Sequence, residues 1–210
     1  MPRDEPTPAI AAALAKPRIS LLGEVDGQMV DKFLGLLGEL DGDDGDLAIE
    51  VTTLGGDAEM ARRIVLEIDA LRARRRGRIV FLGKTIVYSA GATIMSAFPC
   101  ADRYLTSDAM LMIHCRQLQK TIELDGPMRG SLPKVEALCS QIKTGITLEE
   151  ENFRRLVDGC DVDFDSLIER ALYNWYLTAE EALRLHLVAA VVDIAELQRA
   201  RVGLSRVRAH

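Results

Sequence analysis

Three groups of residues could do chemistry together if the fold brought them to one place. Ser89 follows the apolar run at 79–83 and opens a helical segment. His114 follows Met110-Leu111-Met112-Ile113, and Gly55-Gly56 follows Leu47-Ala48-Ile49-Glu50-Val51. A serine hydroxyl is a weak nucleophile at neutral pH and needs an adjacent base, a task that histidine commonly performs. Acyl transfer also needs backbone donors aimed at the developing oxyanion. The N–H of Ala90, at a helix N-terminus, is one candidate, and a glycine pair that lets the backbone approach closely supplies a second. Each feature also has a plainer reading. A serine before a helix caps it, a histidine after a strand packs or caps, and Gly-Gly makes a turn. Val87 stands where the hydrolase nucleophile elbow has glycine, which disfavours that fold. The residues alone leave the choice open.

The elements that would position these groups follow from periodicity. Residues 19–23, 47–51 and 79–83 read as short buried strands. Between them, residues 27–40 and a segment starting near Ala58 place apolar residues at helical spacing. Strand, helix, strand in this order predicts a parallel sheet, whose strands end on one shared rim. Residues 92–98 form a further apolar segment that Pro99 terminates, and 104–105 and 110–113 are strands. Residues 116–130 lack a period, and 133–157 read as a helix with Val135, Leu138, Ile142 and Ile146 in register. Two shorter helices at 165–172 and 178–185 precede a closing strand at 187–192. The class is α/β on one core. Residues 1–16 are read as a mobile arm, 17–194 as the domain and 195–210 as a tail.

Composition excludes several alternatives. A chain of 210 residues with net charge −6 argues against non-specific nucleic-acid binding, which needs a basic face. The run Arg74-Arg75-Arg76, with Arg72 before it, fits a solvated helix end. No apolar stretch reaches the ~18 residues that a membrane helix needs. Acids stand near the N-terminus where a signal peptide would be basic, so the expected location is cytoplasmic. Cys100, Cys115, Cys139 and Cys160 form no C-x-x-C pair and read as reduced packing thiols. The acidic turn 41–46 lacks the closing glutamate of a calcium loop, so neither metal nor cofactor is expected.

On these residues the chain resembles the Clp protease proteolytic subunit (ClpP) family, within the crotonase-like folds, from about Pro17 to Val192. Leu21-Leu22-Gly23-Glu24-Val25 resembles its first strand and turn, and Thr53-Leu54-Gly55-Gly56 stands at its Ser-Pro-Gly-Gly turn. Tyr88-Ser89-Ala90-Gly91-Ala92 is similar to Ala-Ser-Met-Gly-Ala, and Met112-Ile113-His114 to Met-Ile-His, 25 residues from serine to histidine. Residues 175–182, Trp-Tyr-Leu-Thr-Ala-Glu-Glu-Ala, resemble the segment that follows the family's triad aspartate. The resemblance implies repeated ββα units with a protruding handle helix near 133–157. It also implies a serine endopeptidase acting on peptides or unfolded proteins. Ser89 would be the nucleophile and His114 the base, with Gly56 and Ala90 as the oxyanion hole. As partners it implies further copies of the chain, in heptameric rings paired as a tetradecamer, and an AAA+ unfoldase.

The departures are specific. Asn174 occupies the aspartate position, where its side-chain oxygen could orient His114 but supplies no charge. Asp158, Asp161, Asp163 and Asp165 are upstream alternatives for the third member. Cys115 follows His114 where the family has Gln-Pro, and is expected to pack rather than to attack. The N-terminal arm lacks the family's axial-loop sequence. Two further classes therefore stand beside the peptidase: a catalytically weakened scaffold subunit of a ring, and a crotonase-type acyl-CoA enzyme.

Overall fold

A computed structural model describes residues 5–40 and 44–199. The strands are β1 (Ile19–Leu22), β2 (Leu47–Thr53), β3 (Ile79–Tyr88), β4 (Arg103–Thr106), β5 (Met110–Ile113), β6 (Trp175–Thr178) and β7 (Ala190–Val192). The helices are α1 (Pro8–Ala15), α2 (Gly27–Gly38), α3 (Ala58–Arg74), α4 (Ala90–Met95), α5 (Met128–Val157), α6 (Phe164–Ala171) and α7 (Ala179–Arg184). Strands β1, β2, β3, β4 and β7 lie side by side, every pair parallel, as the strand–helix–strand order predicts. Alternate residues face two cores. Leu47, Ile49, Val51, Ile79 and Phe81 meet α2 and α3 residues in the larger one, while Ala48, Val80 and Leu82 face the smaller. A sheet covered on both faces explains why these strands read as unbroken apolar runs.

The smaller core corrects the expectation for residues 1–16. Residues 8–15 are not a mobile arm but α1, whose Ile10 and Leu14 are fully buried against the sheet. Thr7 caps the helix and Pro8 begins it, a favourable start. Its alanine-rich sequence carries the contact on two residues four apart, which is too few to reveal an amphipathic helix. Residues 195–199, expected in the tail, continue a helix from Ile194, and Ile194 and Leu197 pack on the same core. Residues 41–43 of the acidic turn lie outside the described residues.

Strand β3 turns the sheet toward the site. Its first half, Phe81 to Gly83, pairs with β4, and its second half, Ile86 to Tyr88, pairs with β5. At the junction Val51 stands opposite Gly83 but Thr53 opposite Val87, so β3 holds extra residues in a bulge. Thr85 has φ +57° there, and Lys84 is held by a 2.9 Å ion pair to Glu50. Beyond it β5 pairs with β6 antiparallel, Ile113 opposite Trp175.

Helix α5 starts at Met128, five residues before Pro133, the strongest N-terminal marker in its sequence. Its buried residues are Glu149, Asn152, Phe153 and Leu156, all in its last third. The rest stands off the body, with Met128 90% exposed and Ile142 and Ile146 exposed too. The architecture is an α/β fold with a protruding helix. Among the described residues, no helix is long and apolar enough to cross a membrane.

Candidate active site

Ser89 sits in the turn from β3 into α4 with φ +56° and ψ −112°, a strained conformation for a non-glycine residue. Backbone hydrogen bonds hold it there. Its N–H donates to Met112 O at 2.8 Å, and its carbonyl accepts from Ala92 N at 2.9 Å. Although Ser89 occupies the N-cap position, its side chain makes no capping bond. The hydroxyl faces His114 instead, with Oγ 2.7 Å from Nε2. The register explains the meeting: Tyr88 stands opposite Met112 on parallel neighbours, so the residues just beyond both strands share one rim.

The two candidate oxyanion donors line the same cleft. Ala90 is the first residue of α4, whose opening N–H groups have no partner within the helix. Gly56 bridges Val25: Val25 N donates to Gly55 O, and Asp57 N donates to Val25 O. In a parallel bridge this leaves the N–H of Gly56 itself turned away from Val25. A side chain at Gly56 would place its Cβ 2.4 Å from Val25 O, and one at Gly55 would lie 2.8 Å from Ser89 Cβ. The glycine pair is therefore required by close approach on both sides, to β1's turn and to the serine.

Asn174 is not bonded to His114. Among the described residues, His114 Nδ1 is buried and has no hydrogen-bond partner. Continuing the β5–β6 register by one residue puts Asn174 opposite His114, but Asn174 has φ +58° and its side chain is exposed. It lines a shallow depression with Tyr173, Trp175 and Tyr176. None of the upstream aspartates bonds His114 either. Asp163 caps α6, Asp161 pairs with His186 at 2.6 Å, Asp158 ends α5, and Asp165 lines the cleft.

Cys115 is no substitute nucleophile. Burial, reinforced by the neighbouring Glu149 carboxyl, pushes its thiol up to about 11, so little thiolate exists near neutral pH. The cleft, of about 1440 Å³, is walled by α5 and α6 as well as by the strand ends. Sequence reasoning missed this wall. Its one signal was a polar pair, Glu149 and Asn152, on the same face as Phe153 and Leu156. Among the described residues, no group of three or more His, Cys, Asp or Glu could hold a metal ion.

No protein-family model matches the sequence, and no curated protein matches it. Solved structures do match. One is an asparagine-to-aspartate mutant of ClpP1 from Listeria monocytogenes, with TM-score 0.66 and 18% identity, covering 88% of this chain and 96% of that one. At that identity the likeness shows the fold alone, and the fold is ClpP-like.

Proposed function

We propose that the chain is a serine endopeptidase of the Clp type, cutting peptides or unfolded proteins inside an oligomeric chamber in the cytoplasm. The observation that carries this reading is the 2.7 Å contact between Ser89 Oγ and His114 Nε2 at a strained turn. Ser89 attacks the peptide carbonyl as His114 takes its proton, and His114 then returns a proton to the leaving amine. The N–H groups of Gly56 and Ala90 hold the oxyanion. Asn174 turns its side-chain oxygen onto His114 Nδ1, a rotation away from the conformation described; the Ile113–Trp175 pair, one residue short of both, supports this. Seven copies form a ring, two rings stack, and α5 interlocks them; an AAA+ unfoldase feeds the chamber. Turnover of a fluorogenic peptide by the wild type and not by Ser89→Ala, with light scattering for ring size, tests this reading. Equal turnover by both proteins overturns it.

A second reading is favoured by the orphaned His114 Nδ1: a weakened subunit that shapes a ring. Asn174→Asp separates the two. A carboxylate stabilises the imidazolium that an amide cannot, and the same change in trypsin, run in reverse, costs about 10⁴ in kcat. The peptidase reading expects Asn174→Asp to raise kcat by about tenfold or more. An unchanged kcat shows that the third position is unused.

A further inference from the structure

The cleft beside Ser89 and His114 carries polar groups that peptide hydrolysis itself does not require. Glu149 and Asn152, one turn apart on α5, are 8% and 9% exposed and line it. Glu149 accepts the backbone N–H of Arg116. The Asn152 amide has no hydrogen-bond partner among the described residues. The residue is buried but its amide is not sealed from solvent, so on the cleft wall it is a place for a ligand donor.

The charges around it are mostly negative. Asp57, Glu59, Glu149, Glu150, Asp165 and Glu169 line the cleft against the single cation Arg116. Most of these are already engaged. Asp57 caps α3, Glu59 pairs with Arg62 and Arg116, and Glu150 pairs with Arg154. Asp165 and Glu169, four apart on α6, have no ion pair among the described residues. Apolar side chains of Ile146, Phe153, Ile168 and Leu172 lie on the same walls. Apolar walls shared with two exposed, unpaired carboxylates on α6 and the Asn152 amide match a long side chain with a methylene stem and a cationic head.

We propose that this cleft selects peptides carrying lysine or arginine beside the bond to be cut, with Asp165, Glu169 and Asn152 as the specificity residues. This rests on the peptidase reading for its meaning, but binding can be measured apart from catalysis. The test titrates Ser89→Ala protein with fluorescent hexapeptides that differ at one central residue: lysine, norleucine or glutamate. The lysine peptide is expected to bind about tenfold tighter than the norleucine peptide and tighter still than the glutamate one. The preference should shrink to about twofold or less in a further D165N/E169Q variant, and weaken as salt rises. Equal or tighter norleucine binding overturns the inference, as does a lysine preference that survives D165N/E169Q. Lysine-selective binding in a protein whose wild type hydrolyses nothing would sink the peptidase reading and leave this pocket standing.

Discussion

His114→Ala is expected to lower kcat/KM for peptide hydrolysis by at least about 10³-fold while leaving the protein folded. The hydroxyl of Ser89 has no other base within hydrogen-bond distance: its one side-chain partner among the described residues is His114 Nε2. Without that partner, attack requires the neutral hydroxyl, which is a poor nucleophile. The neighbouring thiol cannot take over, because burial holds Cys115 up at about 11. The ring of His114 is only partly buried and fills a cleft wall rather than the core, so its removal should move Tm little. Steady-state kinetics beside a thermal melt make the distinction. A variant within tenfold of wild type means His114 is not the base.

The second large effect is structural. Arg103 is fully buried, and burial lowers its pKa from the usual arginine range. Its guanidinium donates to four backbone carbonyls: Phe98 at 2.7 Å, Leu156 at 2.6 Å, Arg155 at 3.2 Å and Leu187 at 3.3 Å. Two of these close the end of α5, where the positive charge also meets the negative end of the helix dipole. Arg103→Met keeps the stem and leaves these carbonyls without donors, each worth about 1–3 kcal/mol when buried. Release of the arginine's own desolvation cost offsets part of that. The expected net loss is about 3–5 kcal/mol, a fall in Tm on the order of 10 °C for a chain this size. Arg103→Lys should not restore it, since a single ammonium cannot span the fork. Chemical denaturation checks both variants, and a loss under about 1 kcal/mol contradicts this account of the buried arginine.

Much of the fold was legible because its sheet is simple. The runs at 47–51 and 79–83 are buried on both faces, and a parallel pair needs the helix that the sequence places between them. Ser89 and His114 were legible for the same reason: each is the residue just past a strand, and the two strands are neighbours in register. The four-residue strand β6 was not, since alternation over Trp175–Thr178 alone is too brief to tell from the helix start after it. In α5, Val135, Leu138, Ile142 and Ile146 keep helical register, yet none is buried by this chain. The buried face is the partly polar one, Glu149, Asn152, Phe153 and Leu156, which the apolar register did not single out. Asn174 was read as the third member from its place before Trp175, but its backbone is left-handed, its side chain is exposed and it makes no bond to His114. Spacing along the chain says little about side-chain direction.

The central claim is that Ser89 is an activated nucleophile. It is tested most directly by treating the full chain with a fluorophosphonate and mapping the adduct by mass spectrometry. The expected result is one phosphonyl group on Ser89, absent from Ser89→Ala and strongly slowed in His114→Ala. A folded wild type that takes no adduct, or carries it on another residue that still labels in Ser89→Ala, contradicts the account.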